Sequence, residues 1–191
     1  MRDHPFTYAC LKQQTYLAPP YALVPLRGQD IFDIKRWRNA QMDILRQNTP
    51  LTDEMQKQYF ESVIIPSFAE QTPSQILFSF LCDGLCIGYG GLVHISWTSK
   101  RAEVSFLVDP QRMEKADLYE RDFSAFLQLI KQAAFTELHL HRLFTETFAI
   151  RPKHIEVLEK QNFIYEGRMK EHVVINGLFI DSIMHGCIHY A

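Results

Sequence analysis

His94 has an imidazole whose ordinary pKa lies near neutrality, so it can take or give a proton under physiological conditions. Beside Ser96 and Trp97 it suits a hydrogen-bonded structural role equally well. Arg46 and Gln47, in the turn-like stretch Leu45–Pro50, could hold an anionic or hydroxyl-rich group through charge-assisted hydrogen bonds. Arg112 and Lys115 are possible phosphate partners, although Glu114, Asp117 and Glu120 surround them and a self-capping helix start would read the same way. The remaining polar candidates point away from metal chemistry. Cys82 and Cys86 bracket Asp83-Gly84, which reads as a hairpin turn rather than a ligand set. His139 and His141 are the sole closely spaced histidine pair. No metal site is expected.

These groups need a scaffold. The chain has 191 residues, 47% hydrophobic and 22% charged, which is the composition of one soluble globular domain. Lys plus Arg number 20 against 22 Asp plus Glu, a net charge of -2, so the basic footprint of a nucleic-acid binder is missing. An apolar leader and a membrane-length apolar run are both absent, and a cytoplasmic protein is expected. Residues 1–20 read as an N-terminal arm and 21–191 as the domain.

Ala22–Leu26 reads as a strand. Ile31, Ile34 and Trp37 have helical spacing after a possible Asp30 cap. Thr52 caps a second helix that Pro66 should stop. Gln75–Cys82 and Leu85–Ile95 flank the Asp83-Gly84 turn as a hairpin, and Arg101–Val108 alternates as the next strand. Tyr119, Phe123, Phe126, Leu127, Ile130 and Ala134 form one apolar helical stripe. A strand at Arg142–Phe148, a helix from Pro152 to Gln161 and two strands joined at Asn176-Gly177 complete the chain. The order implies an α+β fold.

The stretch Val157-Leu-Glu-Lys-Gln-Asn-Phe-Ile-Tyr-Glu-Gly167 resembles the ending V-L-E-K-x-G-F-x-x-E-G of the GNAT acetyltransferase superfamily. Trp37-Arg38-Asn39 is similar to the tryptophan-arginine-asparagine element of the branch with ribosomal-protein N-acetyltransferases and amino-sugar acetyltransferases of surface-glycan pathways. Ile87–Leu92 and Ala102–Phe106 fall where that family has its third and fourth strands. The resemblance implies a mixed, mostly antiparallel central sheet of about seven strands with about four helices. It also implies acetyl-CoA as co-substrate, its pantetheine arm lying along the backbone of Phe106, Leu107 and Val108 between two splayed strands.

On that resemblance, Arg112, Lys115 and Arg151 become cofactor contacts, although Gln111–Glu120 lacks the family's glycine-rich phosphate loop. Glu103 is the candidate base, with His94 as a second proton carrier and Glu146 placed to orient an amine. The thiolate-protonating tyrosine of relatives falls at Leu158, leaving water or Tyr89 for that task. Arg46, Gln47 and Trp97 become acceptor contacts. The implied activity is direct acetyl transfer to a small-molecule amine such as a nucleotide-linked amino sugar, in a monomer or homodimer. Two alternatives stand: acetylation of a protein N-terminus, or a GNAT-derived binding module that has lost CoA.

Overall fold

The computed structural model describes residues 6–190. Eight strands form one sheet in the order β1-β2-β3-β4-β5-β6-β8-β7. They are β1 (Tyr16–Ala18), β2 (Tyr21–Pro25), β3 (Ile76–Cys82), β4 (Leu85–Ser96), β5 (Arg101–Val108), β6 (Arg142–Phe148), β7 (Ile164–Ile175) and β8 (Leu178–Ile188). Neighbours are antiparallel except β5 and β6, which run parallel. The longer helices are α1 (Ile31–Ala40), α2 (Asp53–Tyr59), α3 (Ala116–Lys131) and α4 (Pro152–Lys160), with short helical turns at Ile65–Ser67 and Pro110–Met113. The expected α+β class and mostly antiparallel sheet are present, with one more strand than the seven anticipated.

The additional strand is β1, which lies in the segment expected to be an arm. From Phe6 onward that segment is built into the domain, while residues 1–5 lie outside the described residues. Tyr8 is 1% exposed, and its hydroxyl donates to the Leu77 carbonyl at 2.9 Å and accepts from the Leu77 amide at 2.8 Å. β2 stops at Pro25, opposite Phe78, so the next ladder position on β3, Leu77, has no strand partner on the β2 side. Tyr8 supplies the missing donor and acceptor there, with Leu26 also donating to the Leu77 carbonyl.

Local chemistry sets most boundaries. Asp83 and Asn176 (φ 48° and 50°), each followed by a glycine at φ 80°, make tight turns that match the twist of their hairpins. Thr52 Oγ1 accepts from the Met55 amide at 3.2 Å and opens α2. Asp30 does not cap α1. Its carboxylate is buried, held by Arg27 at 2.7 and 2.9 Å and by the Ser79 hydroxyl at 2.6 Å. Pro66 does not stop α2 either. The helix widens into a π turn over Phe60–Ile64 and continues through Ser67, accommodating the missing proline N–H. After α4, Asn162 adopts φ 60°, the left-handed conformation for which the resembling pattern uses glycine.

All six apolar residues of the α3 stripe are buried against the sheet. Phe106 stacks on Phe123 at 4.6 Å between ring centres, and Phe123 stacks on the His154 ring at 4.2 Å. This aromatic column joins β5 to α3 and α4. Gly90 is required beneath it, because a Cβ there would fall 2.2 Å from the Ser105 carbonyl oxygen and 2.8 Å from the Phe126 ring.

Candidate active site

β5 and β6 pair only at Arg101–Glu103 against Arg142–Phe144. Beyond Glu103 the two strands separate: β6 continues with β8, while Phe106, Leu107 and Val108 have no strand on that side of β5. A wedge therefore opens with one edge of exposed-backbone character, where an extended ligand can bond as an added strand. Gln41 Nε2 donates to the Val108 carbonyl at 2.9 Å and closes its far end.

Two carboxylates converge at the apex of the wedge. Glu103, 8% exposed, is the last paired residue of β5, and Glu146 is half-buried one pleat further along β6. Arg46 bridges them with a single nitrogen: Nη2 lies 3.1 Å from Glu103 Oε1 and 2.6 Å from Glu146 Oε2. His94 Nδ1 lies 2.8 Å from the other Glu103 oxygen. His172 Nε2 approaches Glu146 Oε1 at 3.7 Å. His94 reaches Glu103 because β4 changes register between Val93 and Ser96 and places His94 at φ 49°, a bulge that re-aims its ring. The ring is mostly in water, so a buried carboxylate and an exposed imidazole form a two-group path from the apex to solvent.

The tryptophan-arginine-asparagine element supports this apex from α1. Trp37 is buried in the core. Arg38 donates from Nε to Gln47 Oε1 at 3.0 Å and from Nη1 to the Tyr89 hydroxyl. Asn39 accepts from Gln47 Nε2 at 2.9 Å and from the Leu51 amide at 2.8 Å, and donates to the Leu51 carbonyl at 2.9 Å. The loop carrying Arg46 is thus pinned at both Gln47 and Leu51. A cavity of about 420 Å³ lies on this side of the sheet, lined mainly by apolar residues including Ile34, Leu51, Tyr59, Leu77 and Val93. Val93 pairs directly with Glu103, and Ser105, also in the lining, follows Glu103 on the same face of β5.

The other side of the wedge holds Tyr119, His154 and Arg151. Burial, with Arg151 and His185 adding to it, holds the His154 pKa well below the ordinary histidine range. Its neutral ring therefore accepts at Nδ1 from the Tyr119 hydroxyl at 2.6 Å, and Arg151 Nη2 donates to the same phenol oxygen at 3.2 Å. Burial also raises the Tyr119 pKa and keeps the phenol protonated. Leu158, where relatives carry a tyrosine, is a fully buried core residue.

The structure brings Glu103, Glu146, His94 and Arg46 together, and Arg38 links Tyr89 to Gln47, the chain neighbour of Arg46. It separates the others. Trp97 sits in the β4–β5 turn and donates Nε1–H to the Pro73 carbonyl at 2.9 Å. Arg112 is bound through Nε and Nη2 to fully buried Asp122 at 2.6 and 2.9 Å, and Tyr21 donates to the same carboxylate at 2.8 Å. That pair gives Arg112 a structural task at the phosphate-loop position. Lys115 is exposed at the start of α3. Glu120, which looked repulsive to a phosphate, is neutralised by Lys153 and by Lys160 at 2.7 Å, which hold its carboxyl down to about 2. Sequence reasoning gave no site role to Tyr119, His172 or Arg38, although Arg38 lies in the Trp37-Arg38-Asn39 element. The aromatic period of α3 masked Tyr119 as core, and nothing local marks His172.

Comparison with known proteins places this geometry. The Acetyltransferase (GNAT) domain family matches residues 23–184. The spermidine N(1)-acetyltransferase of Vibrio cholerae serotype O1 is 29% identical over 98 residues, 50% of this chain and 52% of that relative, so the match spans about half its length. The V. cholerae spermidine N-acetyltransferase solved with CoA and spermine superposes with a TM-score of 0.76 at 19% identity, covering 90% of this chain and 96% of that one. A dodecameric form of the V. cholerae enzyme superposes at a TM-score of 0.71, with 19% identity and coverage of 90% and 95%. The expected monomer or homodimer thus finds no support in that neighbour. With the family match running from β2 into β8 and the strands parting where its ligand would lie, this chain belongs to the GNAT acetyltransferase family.

Proposed function

We propose that this chain is an acetyl-CoA-dependent N-acetyltransferase that acts by direct transfer on a small aliphatic amine carrying more than one positive charge. The observation that carries the acceptor reading is the pair of carboxylates, Glu103 and Glu146, converging on one point at the apex of the β5–β6 wedge. An alkylammonium has three N–H donors and can satisfy both carboxylates from that point. The adjoining apolar cavity suits a methylene chain. The spermidine acetyltransferases among the relatives point the same way. A nucleotide-linked amino sugar is less well served, because its phosphates would meet the carboxylates of Glu103 and Glu146 beside Arg46.

In this reading the pantetheine arm lies along the open backbone of Phe106–Val108. Glu103 takes a proton from the ammonium and passes it through His94 to water. The free amine attacks the thioester carbonyl; the new N–C bond forms, the C–S bond breaks, and the nitrogen, cationic after attack, releases its second proton to water, which restores whichever group protonates the thiolate. The departing thiolate takes a proton from water or from Tyr89, whose hydroxyl accepts from Arg38 and so keeps its own proton free to donate. Arg151 and exposed Lys115 face the cofactor side as phosphate or pantetheine contacts, and Gln47 holds the acceptor loop. Trp97 and Arg112 keep structural roles.

Thiol release from acetyl-CoA, measured with spermidine, a nucleotide-linked amino sugar and a peptide N-terminus, tests the assignment. The polyamine is expected to give the highest kcat/KM. A higher value for either competitor overturns the acceptor, and failure to bind acetyl-CoA in a calorimetric titration overturns the enzyme.

A further inference from the structure

We infer that Arg46 is a resident stand-in for the acceptor's ammonium, a displaceable cation that an incoming amine must replace between Glu103 and Glu146, and that this competition selects acceptors with several charges. The inference rests on the acetyltransferase reading above and assigns to Arg46 the opposite sign of contact from one that holds an anionic acceptor.

Three features support it. The first is position: guanidinium Nη1 stands 3.5 Å from Glu103 Oε2, while Nη2 lies within hydrogen-bond reach of both carboxylates, at 3.1 and 2.6 Å. That is where an amine must sit for Glu103 to take its proton. The second is cost. The Arg46 side chain is 48% exposed, so swinging out breaks a partly solvent-screened ion pair and regains hydration for the guanidinium. By contrast Glu103 and Glu146 are 11% and 14% exposed in their side chains, and leaving both without a cation is unfavourable. The pair therefore stays neutralised by one cation or another, and exchange is the low-cost path. The third is mechanical. Gln47 and Leu51 are fixed to Arg38 and Asn39, so the backbone next to Arg46 is anchored and the side chain alone can swing.

The arrangement discriminates by charge number. A monoamine offers one ammonium in exchange for one guanidinium and gains little. A polyamine offers the displacing ammonium and further charges for the remaining carboxylate oxygens, which face His94 and His172.

The test is steady-state kinetics of Arg46→Gln against the unmodified enzyme, with spermidine and n-butylamine, alongside calorimetric titration of acetyl-CoA. Loss of the competitor is expected to lower KM for n-butylamine by about three- to tenfold, the range of a partly exposed ion pair. KM for spermidine should fall less, so the preference for the polyamine shrinks, while acetyl-CoA affinity is unchanged. A KM that rises for both amines would show that Arg46 holds the acceptor and overturn the inference. Equal kinetics for the two proteins would overturn it as well. Absence of turnover by the unmodified enzyme with every amine would instead refute the acetyltransferase reading on which it rests. Arg46→Lys provides the control for folding: it retains a cation and should retain the polyamine preference.

Discussion

Replacing Glu103 with Gln changes charge and basicity with almost no change in volume, so it isolates the proton-transfer role. The structure sets the consequences. Glu103 accepts from Arg46 at 3.1 Å and contacts His94 at 2.8 Å; a glutamine can still accept from Arg46 and donate to His94 Nδ1, but it cannot hold the acceptor's proton. Arg46 retains its 2.6 Å pair with Glu146, so the apex should not collapse. A positioned general base contributes about 10²- to 10⁴-fold, and His94 with water can replace part of it, so kcat should fall by about 10²- to 10³-fold, or about 3–4 kcal/mol in barrier. Acetyl-CoA binding should hardly change, because β5 offers that ligand its backbone and not the Glu103 side chain. A chromogenic thiol assay gives kcat, and calorimetry gives the cofactor affinity. A kcat within about twofold of the unmodified enzyme would refute the assignment of the base. A parallel loss of acetyl-CoA affinity would show that Glu103 organises the wedge instead.

Two further outcomes test the surrounding framework. Tyr8→Phe removes the acceptor for the buried Leu77 amide and should cost about 1–3 kcal/mol in urea unfolding with kcat intact, whereas an unaltered midpoint would return residues 6–20 to the status of a loose arm. His154 is held neutral by burial, so the unfolded chain takes up a proton that the folded chain refuses as pH falls through the ordinary histidine value of 6.5. Stability conferred by this position is therefore present above that pH and lost below it. His154→Gln should flatten the change in urea midpoint between about pH 7 and about pH 5, and an unchanged slope would contradict the buried neutral ring.

The element order was legible in the sequence because it depends on short-range signals. Alternating residues in Arg101–Val108 gave a strand with the bounds found, the three- and four-residue spacing of α3 gave its buried face, and Asp-Gly and Asn-Gly marked the β3–β4 and β7–β8 hairpins. The tail motif and the Trp37-Arg38-Asn39 element led to the right superfamily. Local signals misled where a side chain had a stronger distant partner: Asp30 went to Arg27 and Ser79, and Tyr8 went to Leu77 across 69 positions.

The working arrangement of the site was decided by tertiary structure. Glu103, Glu146 and Arg46 were each singled out as polar candidates, but nothing in the chain states that one arginine nitrogen reaches both carboxylates, one of them 100 positions away. The same holds for Arg112, whose charge suggested a phosphate contact until packing gave it Asp122, and for Tyr119, a core aromatic by spacing whose hydroxyl meets His154. Periodicity fixes which face of an element is buried, because burial follows from the repeat of the backbone. Charge pairing has no such repeat. It depends on which strands separate and which loop is pinned beside them, and that is set only when the whole sheet has closed on its core.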